Sequence, residues 1–321
     1  MSELFDKSIR TLELPAVLHM LSEQTNSAES REKALSMVPQ TDVDDVRRLQ
    51  DETDAARDMI GLKGSPAFSG IKPVAESLYR ADRGGALNTR ELLDIAGVLR
   101  CARRVRDYFN DDGQKSAVDY LFCALRGNRF LEDKIFSSIL EEDVIADSAS
   151  PELADIRRHI RVAASKGRQI LQKIISSQSY SKVLQEAIIT QRDGRFVVPV
   201  KAEFRSSMPG LVHDVSASGA TIFVEPMGVV HANNELKELE AKEKKEIERI
   251  LRALSAEAAG CHNDIQSDYD VLVRLDVIFA RGQLSYKMNA SRPEIRRNGS
   301  VYLRHARHPL LDTGRAVPIT I

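Results

Sequence analysis

Between Ile156 and Lys182 the sequence contains no aspartate or glutamate. The same stretch carries Arg157, Arg158, Arg161, Lys166, Arg168, Lys173 and Lys182. Cations without nearby counter-charges attract polyanions, above all a phosphate backbone. Two more, Lys201 and Arg205, follow a short apolar strand pattern. The residues expected to touch phosphate are therefore Arg157, Arg158, Arg161, Lys166, Arg168 and Lys173 on one element, with Lys201 and Arg205 on another. Such contacts position a nucleic acid without reading its sequence, so binding is expected to follow shape and to weaken with salt. The competing reading is structural: the basic stripe docks on acidic protein, such as residues 1–149, as an interaction or dimerisation module.

Other chemistry is thinly represented. No GxxxxGK[ST] pattern occurs, so these residues hold no P-loop. His213 and Asp214 stand next to Ser216 and Ser218, but strand neighbours point to opposite faces and no GxSxG elbow is present. His305 and His308 lack a third ligand group. The acidic groups Asp44-Asp45, Asp111-Asp112 and Glu141-Glu142-Asp143 fall at expected helix ends, where they serve caps and helix dipoles. Phe130-x-Glu132 and Phe223-x-Glu225 are read as coincidences. No catalytic, cofactor-binding or metal-ligating residue is assigned.

The composition fits this picture. With 42% hydrophobic and 29% charged residues over 321 positions, the chain forms cores, and its length suggests two domains. Aromatics at 5% and the absence of Trp argue against sugar sites and extended stacking platforms. The formal net charge of −1 hides a polarity. Residues 1–149 carry −7, residues 150–232 carry +4 and residues 233–321 carry +2. Cys101, Cys123 and Cys261 are odd in number and in no metal spacing, which points to a reducing compartment. No apolar run reaches 18 residues and the N-terminus lacks a signal-peptide core, so a cytoplasmic protein without a membrane span is expected.

The elements that must position the cations can be read from periodicity. Residues 1–149 show helical breaks and caps: Thr11 for a first helix, Asn26 or Ser27 for the next, and Thr41 with Asp44 for a third. Asn88 with Glu91 three residues on starts another, and shorter helices follow near 116–126 and 130–140. From Ser150, Leu153, Ile156, Ile160, Ala163, Gly167, Ile170 and Ile174 alternate in steps of 3 and 4, a heptad seam of the coiled-coil kind. From Leu236 to Phe279 a second apolar stripe predicts one helix of about 45 residues, roughly 65 Å long at 1.5 Å per residue. Between them, Arg192-Asp193-Gly194-Arg195 signals a hairpin, and FVVPVKAEF, LVHDV and TIFVE read as strands. Pro199 suggests an edge strand or a bulge. Past Pro293, Val301, Leu303 and Pro309-Leu310-Leu311 suggest short strands, and the apolar end Val317–Ile321 reads as a cut inside a domain. The expected fold is mainly α: a helical core domain plus two long antiparallel lever helices carrying a small antiparallel β clamp module. Its parts are 1–149 (core), 150–187 (first lever), 188–232 (clamp), 233–292 (returning lever) and 293–321.

Several segments together resemble one family: DSAS (147–150), TQRDGRFVVPVKAEF (190–204), GLVHDVSASGATIFVEP (210–226), NNELKELEAKEKKEIERIL (233–251) and ARHPLL (306–311). They are similar to the MutS-two family, a bacterial MutS-like branch whose full-length members carry a C-terminal Smr domain. The resemblance covers essentially the whole chain. It implies that residues from about 293 begin an ABC-type ATPase domain, in which ATP and Mg drive clamp movements of a homodimer on branched or duplex DNA. It also implies an endonuclease activity in the Smr part, suppression of homologous recombination, and rescue of stalled, collided ribosomes with contact to rRNA. Residues 1–321 match no catalytic motif of the family, so this piece by itself is expected to be no enzyme and to need no cofactor. Set against the wider MutS pattern, the resemblance implies a start directly at the core domain, without mismatch-reading and connector domains, so mismatch recognition is not expected of these residues.

Overall fold

A computed structural model describes residues 3–109, 115–296, 299–311 and 316–321. Its helices are α1 (Glu3–Thr11), α2 (Leu14–Ser22), α3 (Ala28–Leu35), α4 (Val43–Lys63), α5 (Ala75–Asp82), α6 (Thr89–Tyr108), α7 (Asp119–Ala124) and α8 (Arg129–Ser138). Strands β1 (Ile139–Glu141) and β2 (Val144–Ile145) precede α9 (Pro151–Ile175). Strands β3 (Thr190–Arg192), β4 (Arg195–Lys201), β5 (Gly210–Val215) and β6 (Thr221–Pro226) lead into α10 (Met227–Gly260) and α11 (His262–Lys287). The chain is mostly helical with one small four-stranded antiparallel sheet, as its periodicity predicts. Two compact units form: residues 1–136 with 254–321, and residues 137–253.

The first unit is a helical assembly built around α6 and α11. Asn88 and Glu91 form the reciprocal capping box that the sequence predicts. Leu92, Ile95, Leu99 and Val105 are buried on α6, and Ile265, Leu272, Leu275 and Phe279 on α11. Phe68, Phe122 and Phe279 form an aromatic cluster, with ring centroids 5.7 and 6.2 Å apart. Buried carboxylates tie the elements together. Asp276 accepts hydrogen bonds from the Asn26 and Ser27 backbone N–H groups at 2.9 and 3.3 Å and from the Asn26 amide at 2.8 Å. Glu132 is gripped by Arg103, and Glu52 by Arg274 and Arg281. Phe130-x-Glu132 thus contains a structural ion-pair partner.

Several local expectations for this unit are corrected. Thr11 ends α1, its hydroxyl donating to Lys7 O, because Pro15 shifts the next helix start to Leu14. Ser27 caps α3 while Asn26 is drawn to Asp276, and Asp42, not Thr41, caps α4. The single long helix from Leu236 to Phe279 is two helices: Cys261, at φ −110° and ψ 13°, interrupts it just after Gly260. Apolar spacing runs through Ala258, Cys261 and Ile265 unchanged, so a one-residue break leaves no trace in it. Past Pro293, Ala306 pairs with Ile319 and Leu303 with Ile321 through backbone hydrogen bonds, but no extended strand forms among the described residues. The Asp111-Asp112 pair lies outside the described residues.

In the second unit the acidic run Glu141-Glu142-Asp143 is the tip of the β1–β2 hairpin, with Asp143 at φ 65°, and not a helix end. Ser150 then caps α9, its hydroxyl accepting from Leu153 N–H at 3.0 Å, and Pro151 fills the first turn. The heptad seam faces inward: Leu153, Ile156, Ala163, Gly167 and Leu171 are buried. Helices α9 and α10 run antiparallel inside this unit, as their contacts descend in opposite order. Ser150 meets Glu246, Arg157 meets Glu243, and a Cβ at Gly167 would lie 3.6 Å from Ala232 Cβ.

The sheet has the order β3-β4-β6-β5, all antiparallel. Asp193 and Gly194 both take positive φ (50° and 72°), the mirror-image turn that suits strand twist. Phe196, Val198 and Val200 project toward α9 and α10, forming one core with Ala163, Leu171, Val229 and Leu236. The heptad seam therefore packs on a sheet as well as on a helix. Strand β4 is central, yet Pro199 fits, since its carbonyl accepts from Gln185 N–H where β3 has already ended. Its missing donor faces no named strand. The strand expected to run to Phe204 stops at Lys201, and residues Ala202–Ser207 form a 3-10 turn.

Candidate nucleic-acid interface

The outward side of α9 is set by the same cap and seam. With 3.6 residues per turn, positions 158, 161, 165, 168 and 172 form one ridge and 159, 162, 166, 169 and 173 the next. All ten are exposed and none is acidic. Five are basic: Arg158, Arg161, Lys166, Arg168 and Lys173. The patch is roughly 22 Å long at 1.5 Å per residue.

The structure divides the expected phosphate contacts into three groups. Arg157 is turned inward and only 22% exposed, donating to Glu243 Oε1 at 2.6 Å, Asp147 Oδ1 at 2.7 Å and Ile145 O at 2.7 Å. Burial opposes its charge, yet these carboxylates raise its pKa. Arg158 pairs with Asp155, and Arg161 reaches Asp147 at 3.3 Å. Hydrogen bonds from Arg157 first, and then from Arg161, hold the Asp147 carboxyl below the usual carboxylate range. The start of the stripe is thus answered by acids outside the acid-free stretch: Asp147 and Asp155 just before it and Glu243 on α10.

Lys166, Arg168 and Lys173 differ. They are exposed, and none has a carboxylate within 4 Å among the described residues. Arg168 holds its guanidinium carbon 5.5 Å from the Phe196 ring centroid. Lys201 and Arg205 are not brought to this face. Lys201 is half-buried opposite Thr221, on the sheet face turned away from Val198 and Val200. Arg205 is exposed on the 3-10 turn.

Reading the sequence alone missed the groups that hold the sheet to α10. Glu225 is fully buried and accepts from Arg195 Nη1 at 2.8 and 3.1 Å, from Asn233 Nδ2 at 2.8 Å, and contacts His213 Nε2. Arg195 also donates to Asn234 at 2.7 Å. His213 thus contacts a buried carboxylate. It also missed Arg192, which covers the Phe223 ring at 3.9 Å and pairs with Asp214 at 3.0 Å. The Asp-Gly turn was the visible signal there, and it hides the roles of its flanking arginines. Among the described residues, no group of three or more His, Cys, Asp and Glu could hold a metal ion, and no helix is long and apolar enough to cross a membrane.

Fold and surface together define a mainly helical protein whose small antiparallel sheet is inserted between two long helices, beside an acid-free basic helical face. No protein-family model matches the chain. Curated relatives named "Endonuclease MutS2" do. The protein of Ruminiclostridium cellulolyticum is 44% identical over 317 residues, that of Acetivibrio thermocellus 43% over 318, and that of Clostridioides difficile 39% over 320. Each alignment covers 98% of this chain and 40% of the relative. The chain belongs to the MutS2 family and spans about 40% of the length of the relatives it matches.

Proposed function

We propose that this chain supplies the nucleic-acid grip of a MutS-like ATPase acting on branched or structured DNA, with the rRNA of stalled, collided ribosomes as the second target. The observation that carries this reading is the outward face of α9, where ten exposed positions include five cations and no acid. Lys166, Arg168 and Lys173 carry most of the contact, because their charge is not spent inside the protein. Lys201 and Arg205 form a separate contact on the sheet, which serves as the clamp at the end of the levers α9 and α10. In the longer protein, ATP with Mg and the nuclease activity named in its relatives act outside these residues, on a cytoplasmic homodimer. Residues 1–149, 150–187, 188–232, 233–292 and 293–321 serve there as core, lever, clamp, returning lever and start of the ATPase domain.

One observation favours the structural reading for part of the stripe. Arg157 spends its guanidinium on Asp147 and Glu243, as a docking residue would. The test is titration of the 321-residue chain with a labelled four-way junction, a plain duplex and ribosomes at two salt concentrations. The grip reading expects binding that weakens steeply with salt. Absence of binding to all three, or binding indifferent to salt, leaves only the structural module.

A further inference from the structure

Beside the unpaired cations of α9 lies a cavity of ≈ 300 Å³ lined by Arg168, Ile189, Thr190, Gln191 and Phe196. It belongs wholly to the second unit. Its walls are of three kinds. Ile189 and the 4%-exposed Phe196 are apolar. Arg168 lays a flat cation over the Phe196 ring at 5.5 Å. Gln191, paired with Phe196 across the strands, brings an amide, and its side chain is exposed with no hydrogen-bond partner in the protein among the described residues; the Thr190 hydroxyl accepts from Arg192 Nη1 at 3.4 Å, on the other face of β3.

This set suits one kind of occupant. A bare phosphate needs converging cations, and here only one guanidinium lines the wall, while solvated Lys166 and Lys173 stand free on the helix outside. A nucleobase is flat, has an apolar face, and carries donors and acceptors on its edge. An arginine plane stacks on the face, and an amide that both donates and accepts reads the edge. The volume is at the small end of ligand sites, about 300–1,000 Å³.

We infer that the pocket between α9 and β3 receives one unstacked nucleobase, while the cations of α9 hold the flanking phosphates. This rests on the nucleic-acid reading above and deepens it. A base locked in a duplex stack cannot enter such a pocket without being turned out. The site therefore selects nucleic acid with an unpaired base, as at a junction, a bulge or an RNA loop. The low aromatic content does not oppose this, since a single base needs one stacking plane and not a platform.

The test compares the chain's affinity for a fully paired duplex and for the same duplex with one bulged 2-aminopurine, each made as DNA and as RNA. The bulged form is expected to bind about tenfold tighter, within the range that stacking one base contributes. The fluorescence of the bulged 2-aminopurine changes on binding, and that of a paired one does not. Whichever sugar gives the larger ratio identifies the source of the base. Arg168→Lys keeps the charge and loses the plane, and Gln191→Ala loses the edge contact; each brings the bulged-to-paired ratio close to one. Lys173→Ala weakens both duplexes and leaves the ratio. Circular dichroism verifies that the variants are folded. Equal affinity of the unaltered chain for the two forms, or a ratio kept in Arg168→Lys or Gln191→Ala, overturns the pocket and spares the grip. Failure to bind either form overturns both.

Discussion

Asn233 of α10 holds both backbone groups of Phe196. Its side-chain oxygen accepts from Phe196 N–H at 3.0 Å, and its amide donates to Phe196 O at 3.0 Å. The next strand cannot do this, because the register of β4 with β6 puts Pro226, which has no N–H, where the partner would stand. The same amide also reaches Glu225. Asn233→Ala leaves three buried polar groups short of a partner. It is expected to lower stability by about 2–4 kcal/mol, read from urea denaturation.

The Glu225 carboxylate is buried against Arg195, which is itself only 19% exposed. Removing one partner of such a pair strands the other. Glu225→Ala should cost about 3–5 kcal/mol. Glu225→Gln, which keeps the shape and one acceptor, should cost less. Equal losses in the two variants would show that charge, and not shape, secures this joint.

Gly210 lies where β5 passes β6 too closely for any side chain. A Cβ there would sit 2.2 Å from Glu225 O and 2.7 Å from Val224 Cγ1, and the first of these is a backbone atom that cannot swing aside. Gly210→Ala should therefore loosen the sheet by about 1–3 kcal/mol or more. Limited trypsin digestion is expected to cut faster within residues 137–253, at sites such as Arg205, while fragments from residues 1–136 persist.

Acid should unfold the first unit through its buried carboxylates. Hydrogen bonding from Arg103 foremost, and then Arg100, holds the Glu132 carboxyl below the usual range. Burial pushes the Glu52 carboxyl upward, but Arg274 and Arg281 together outweigh it, and it too lies low. For both groups the folded state binds its proton less tightly than the unfolded chain. Their stabilisation is present above the ordinary carboxylate pKa of about 4.3 and is lost as pH falls through the lower folded value. Asp268 acts in the opposite sense: burial raises it, despite backbone donors from Arg126 and Gly127, so it favours the folded state at low pH and the benefit fades as pH rises. Through Glu132 and Glu52, with Asp268 opposing them, urea midpoints are expected to fall between about pH 5 and pH 3. The fall should be shallower in Glu132→Gln.

The stripe on α9 should split by function. Replacing Lys166, Arg168 and Lys173 with Ala should reduce the slope of log affinity against log salt by about 3, roughly one per lost phosphate contact, with little change in the urea midpoint. Arg157→Ala should do the reverse, lowering stability because Glu243 and Asp147 lose their shared partner, with a smaller effect on the slope. A salt slope unchanged in the triple variant would place the phosphate contacts elsewhere.

Much of this architecture was legible beforehand because its signals are local. The Asn88–Glu91 box, the Ser150-Pro151 start, the heptad seam of α9 and the Asp-Gly turn each operate within a few residues, and each appears where periodicity and turn chemistry put it. The misread points share a cause. Thr11, Thr41 and Glu141–Asp143 carry residue types that suit a cap, and neighbours in space or a proline nearby decided otherwise. The break at Cys261 leaves the apolar period intact, so only backbone geometry reveals it.

From its order of residues alone, this protein determined that it would be mainly helical, that a small sheet would be inserted between two long helices, and that one helix would show cations without acids. Those properties follow from spacing along the chain. Folding alone decided which cations remained available. Asp147, Asp155 and Glu243 lie outside the acid-free stretch, and in three dimensions they meet Arg157, Arg158 and Arg161 while leaving Lys166, Arg168 and Lys173 unanswered. Charge acts through space, at a range of a few ångströms, so the neutralising partner of a cation can be many residues away in sequence. Likewise, Phe196, Arg168 and Gln191 form a pocket only because the seam of α9 packs on β4.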